Sequence, residues 1–378
     1  MFKNVTIYRI APGWTATLES METALDAARF VPCGATQDKA VGWVEPRGEA
    51  HGPLVESVAG QRILKLMIET KAVPGSVVRE KADEEAEHIE ATTGRKPGKK
   101  QMKELREDAL LSLLPQAFPR RMGVWVWIDL ANGLLVTDAS SQGKLDELVT
   151  ALVNVFNDLS LTLLQTAITP QTAMTSWLSA PVSDEDEGGA PGGFSVEREC
   201  ELKSGDEEKS VVKFTRHNLA TDEVRKHITE GKLPTRLAMS WEGRIGFVLT
   251  ESLQLKKLAF LEGVFDDRAD DGESGFDTDV ALSTGELNKL IPELIEALGG
   301  EIVGNGPHHS IDAEDFLDDD YGWGLGGGRS GHIGTEGSVF GGDGGHCARH
   351  GRGSKVSVGN RVGLRIETSR RLGQGSCG

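Results

Sequence analysis

The residues of this chain that could do chemistry are scattered, and few stand at a spacing that chemistry requires. The four cysteines, Cys33, Cys200, Cys347 and Cys377, include no CxxC pair. A zinc site or a disulfide framework needs clustered thiols, so reduced, separate thiols are expected. His51, His88, His217 and His227 stand in polar, mostly charged contexts without metal-ligand spacing. No P-loop, nucleophile elbow or histidine metal signature occurs. The sequence therefore predicts neither an enzyme nor a cofactor.

Three patterns come closer and fail on chemistry. Gly322-Trp323-Gly324-Leu325-Gly326-Gly327 matches GxGxxG, but Asp318-Asp319-Asp320 stands where a strand should lead in and would repel a pyrophosphate. His346, Cys347 and His350 are metal-ligand types, but a glycine-rich coil cannot orient them in advance. Asp267, Asp271 and Gly272 follow a calcium loop, yet Ala269 occupies a ligand position and Thr278 replaces the bidentate Glu. That stretch reads as a solvated acidic loop.

Charge is the more informative signal. The 378 residues carry a formal net charge of −17, which taken whole argues against a nucleic-acid partner. The charge is segregated, however. Thr93 to Arg121 holds eight Lys/Arg against three acids, and Lys209 to Phe260 holds ten against five. Ser183 to Glu208 holds ten acids against two bases, and Glu262 to Asp279 is also strongly acidic. The basic islands fall on predicted elements and the acidic blocks mostly on loops. This pattern predicts a basic face inside an acidic envelope, which focuses a field on a polyanion.

The elements that must position these charges are mixed strands and helices. Val5 to Ile10, Arg62 to Thr70 and Gly123 to Leu130 read as strands, the last with one face in the core. Leu18 to Arg29 reads as a helix. Pro74 to Leu114 predicts two charged helices broken at Gly94-Arg95-Lys96-Pro97-Gly98, a pair able to project as an arm over residues 74–121. Asn132-Gly133 predicts a hairpin, and the stripe from Leu145 to Phe156 a helix. After a soft linker at Ser183 to Gly193, Val211 onward reads strand, helix, strand, strand. Thr221 is the expected cap of that helix, and Glu242-Gly243 turns the following hairpin. Ser283 and Glu286 form a capping-box pattern for a last helix with Pro292 in its stripe and Gly299-Gly300 at its end. Residues 302–378 are glycine-rich without sustained apolar period and are expected to be a disordered tail. No signal peptide or 18-residue apolar run is present, so a soluble cytoplasmic chain is expected.

Several segments in order resemble the RdgC family. They are Phe30-Val31-Pro32-Cys33-Gly34 with Gly42-Trp43-Val44, Leu113-Leu114-Pro115-Gln116-Ala117-Phe118, and Trp127-Ile128-Asp129 with Asn132-Gly133. Leu219 to Lys232 and Thr284-Gly285-Glu286-Leu287 through Leu298-Gly299-Gly300-Glu301 follow. The resemblance spans residues 1–301. It implies an α+β, horseshoe-shaped subunit that closes as a ring-shaped homodimer around duplex DNA and binds without sequence preference. It also implies restraint of RecA-promoted strand exchange, no enzymatic activity and association with the nucleoid.

Two residues carry over from the family pattern. Phe118 matches an aromatic of the ring-closing dimer interface, although its flanking leucines also suit a buried core Phe. Arg216 matches a basic position on the DNA-facing wall. Lys213, Arg225, Lys226, Lys232, Arg236 and Arg244 join it on charge alone, and each has acids near in sequence. The tail departs from the family, whose members end soon after the Gly-Gly-Glu motif. It reads either as an extension with a basic end or as translation past the natural stop. Two rival classes stand beside DNA binding: an acidic module docking basic proteins, and a metal-dependent nuclease using scattered carboxylates.

Overall fold

The computed structural model describes residues 1–180, 189–206, 208–261 and 275–302. The first half of the chain contributes β1 (Thr6–Ile10), α1 (Leu18–Asp26), β2 (Lys39–Val44), β3 (Val55–Val58) and β4 (Gln61–Lys71). It continues with α2 (Gly75–Thr93), α3 (Lys99–Leu113), β5 (Pro119–Asp129), β6 (Leu134–Thr137), α4 (Gln142–Val155) and β7 (Leu161–Leu163). Their seven strands form one antiparallel sheet, ordered β2-β4-β5-β6-β1-β7 with β3 also on β4. Gly133, at φ +62°, supplies the left-handed residue that turns β5 into β6.

Alternation along β5 sends Val124, Val126 and Ile128 to one face, where they pack with Met21 and Leu25 of α1 and Leu145, Leu148 and Leu152 of α4. Trp127 points to the other face and is fully buried in a second core. The expectation of a single buried face is thus corrected: at this end of β5, apolar layers cover both sides. α1 also stops at Asp26, three residues short of expectation, because Ala28 and Phe30 bond to Trp43 of β2 instead.

The second core is built from α5 (Pro170–Ser179), β8 (Phe194–Ser204), β9 (Val211–Thr215), α6 (Asp222–Thr229), β10 (Lys232–Trp241), β11 (Ile245–Thr250), β12 (Leu255–Phe260) and α7 (Gly275–Ala297). Its antiparallel sheet runs β12-β11-β10-β8-β9. Glu242 and Gly243, both at positive φ, turn β10 into β11 as expected. Val5 pairs with Leu255, and Leu258 donates to the Lys3 carbonyl, so the chain ahead of β1 joins the edge of this sheet.

The capping box at Ser283 is overturned. α7 begins at Gly275, and Ser283 and Glu286 are buried inside it. Pro292 lies inside the helix, within the apolar stripe that the sequence assigned to it. Gly299 and Gly300, at φ +79° and +92°, end it as predicted. Thr221 holds the N-cap position of α6, but its buried hydroxyl makes no hydrogen bond. The tail with its two motifs, residues 181–188 and 207 of the first acidic block, and residues 262–274 of the second, which hold most of the calcium-loop pattern, lie outside the described residues.

Candidate nucleic-acid interface

On β8, Glu199, Glu201 and Lys203 alternate with buried Cys200 and Leu202. This acidic strand meets cations brought by its neighbours. Lys213 of β9 lies 3.0 Å from Glu201, and Lys257 of β12 crosses the intervening strands to within 2.7 Å of Glu199. Burial opposes charge on Glu201, yet the Lys213 hydrogen bond, the field of Arg236 and a bond from Thr235 together hold its carboxyl below the ordinary range. Part of the acidic block is therefore a neutralised strand and not a loop.

The seven basic residues separate by their partners. Lys213 is paired as above, Arg225 bonds Asp222 at 2.8 Å, and Lys226 lies 4.0 Å from Glu230. Lys232, its side chain only 16% exposed, sits 3.1 Å from His227 Nδ1 and 3.6 Å from Glu230. Arg244 places its fork on Glu286, with Nε and Nη2 each donating at 2.7 Å. That bond holds the Glu286 carboxyl below, and the Arg244 guanidinium above, their ordinary values. Arg236 faces Glu201 through its field alone. Arg216 is exposed after β9 and makes no ion pair among the described residues. Its φ of +56° is uncommon for a side chain with a Cβ and fixes the turn that carries it.

The arm keeps more of its charge open. α2 and α3 pack on each other, and neither shares a substantial interface with either sheet. Gly94, left-handed at φ +71°, closes α2 and sends the chain back into α3. Lys96, Lys100 and Lys103 have acids within 4 Å on the arm itself. Arg95, Lys99, Arg106 and Arg120 are exposed with no carboxylate partner among the described residues. At the arm's base Phe118 is 92% exposed, so the buried-core reading of this residue is overturned. Behind it Arg121 bonds the buried Glu69 at 2.6 Å, pinning the start of β5.

A family model described as "Putative exonuclease, RdgC" matches residues 1–301. The chain belongs to the RdgC family. It is 42% identical to a Recombination-associated protein RdgC of Dechloromonas aromatica (strain RCB), covering 80% of this chain and 98% of the relative. It is 43% identical to the protein of the same name from Herminiimonas arsenicoxydans, covering 79% and 98%.

Within this RdgC chain, no three His, Cys, Asp or Glu side chains of the described residues come together as a metal-binding group. Nor is any described helix long and apolar enough to cross a membrane. Sequence reasoning missed the acids on β8, although the period-two spacing of Glu199, Glu201 and Lys203 was a readable signal. It also missed the Arg244–Glu286 pair, whose members lie 42 positions apart.

Proposed function

We propose that this RdgC-family chain binds duplex DNA without sequence preference. In this reading a horseshoe-shaped subunit closes with a second copy into a ring around the DNA. The ring restrains RecA-promoted strand exchange. The observation that carries the reading is near-complete coverage of relatives named recombination-associated. Two local features support it. Among the described residues Phe118 is the most exposed of the large apolar side chains, as an interface anchor would be in a free subunit. Arg216 and the arm residues Arg95, Lys99, Arg106 and Arg120 are cations that no carboxylate neutralises among the described residues.

Binding of this kind works through phosphate. Each Lys or Arg that replaces condensed counterions adds affinity without reading a base. Ring closure adds residence, because DNA leaves only when an interface opens. The acidic-module rival loses one docking surface, since Glu199 and Glu201 of β8 are already paired within the chain.

The test is Phe118→Ser with oligomer sizing and a gel shift on long duplex. We expect dimer dissociation and weaker DNA binding while the thermal unfolding midpoint stays near the wild-type value. An unchanged dimer contradicts the interface role. The same preparations, incubated with plasmid and Mg²⁺ or Mn²⁺, are expected to leave it uncut.

A further inference from the structure

The three cation–π pairs among the described residues involve one region of the first sheet. Arg47 lies 4.6 Å from the Phe276 ring centre, Lys65 4.5 Å from that of Trp125, and Arg121 5.7 Å from that of Phe30. Lys65 and Trp125 are direct partners across β4 and β5, so the ammonium lies over its neighbour's ring. Trp125 also meets Phe276 of α7, with ring centres 6.2 Å apart.

The cations differ in what else holds them. Arg47 is fixed by Glu56 at 3.0 Å and Asp277 at 2.5 Å, and Arg121 by Glu69. Lys65 has no carboxylate partner among the described residues, only the Trp125 ring. Trp127, two positions along the same face, is fully buried, whereas Trp125 and Lys65 keep partial access to solvent. The floor beside them is low, because Gly123 has no side chain; a Cβ there would come within 2.8 Å of Lys65 Cε.

We propose that this strip is a stacking site for an unpaired base of single-stranded DNA. A base enters over Trp125 and displaces the Lys65 ammonium, which moves to the adjoining phosphate. The exchange suits both partners: the indole face is sequence-tolerant, and an ammonium without a carboxylate gains a full negative charge. Arg47, held by Glu56 and Asp277, lies over the Phe276 ring, which in turn packs against Trp125. The site rests on the reading that the chain binds DNA.

The experiment measures binding of the full chain to a short labelled oligo(dT) and, in parallel, to duplex. Trp125→Ala is expected to weaken oligo(dT) binding roughly tenfold or more, with duplex affinity unchanged. Lys65→Glu, a change at a partly exposed position, is expected to weaken oligo(dT) in the same way and serves if Trp125→Ala fails to fold. A folded Trp125→Ala, or a Lys65→Glu, that holds oligo(dT) like wild type overturns the inference. So does a wild-type chain that binds duplex but not oligo(dT). Failure to bind either DNA overturns the function proposed above together with this site.

Discussion

At the residue scale, one charge often has a structural partner that decides its use. Arg244 is 43% exposed and a natural candidate for phosphate, yet its fork is committed to Glu286, which is 7% exposed. Replacing it by Ala removes both 2.7 Å bonds from a nearly buried carboxylate and leaves it only the longer Lys289 contact at 3.4 Å, which should destabilise the fold. Because the folded Glu286 carboxyl lies below its unfolded value, the unfolded chain binds more protons at acid pH. The pair's contribution is thus complete above the ordinary Glu value of about 4.3 and fades as the pH falls below it. Urea unfolding should show Arg244→Ala less stable at neutral pH, with the gap narrowing under acid. A gap that widens under acid contradicts this assignment. The sequence could not have revealed it, since the partner comes from α7, beyond two further strands. Phe118 was half legible for a similar reason: its motif was readable, while its 92% exposure is a tertiary fact.

At the scale of elements, strong local signals survived folding and weak ones were overridden. The breaker at Gly94 to Gly98, the turns at Asn132-Gly133 and Glu242-Gly243, and the stripe of α4 all stand where their local chemistry puts them. β8 was hidden because its alternating acids read as a solvated block until Lys213 and Lys257 neutralise them. α7 was read too short because Ser283 and Glu286 imitate a helix start. The two readings of Ser283 make opposite predictions. As an N-cap, Ser283→Ala would cost about 1 kcal/mol. As a buried hydroxyl with no hydrogen-bond partner, its removal should stabilise the fold by about 1 kcal/mol. Thermal unfolding decides, and the structure requires the midpoint to rise; a fall would restore the cap.

At the scale of the whole molecule, a net charge of −17 conceals where charge acts. Pairing on the second sheet neutralises Lys213 and Lys257 locally, while Arg216 and four arm cations remain without carboxylate partners among the described residues. That distribution supports a polyanion bound at selected surfaces of an acidic protein. The most direct measurement is the affinity of the full chain for two unrelated duplexes of equal length across a salt series. The account predicts equal affinities for the two, each falling steeply between about 50 and 200 mM salt. A flat salt response, or a marked preference for one sequence, would contradict it.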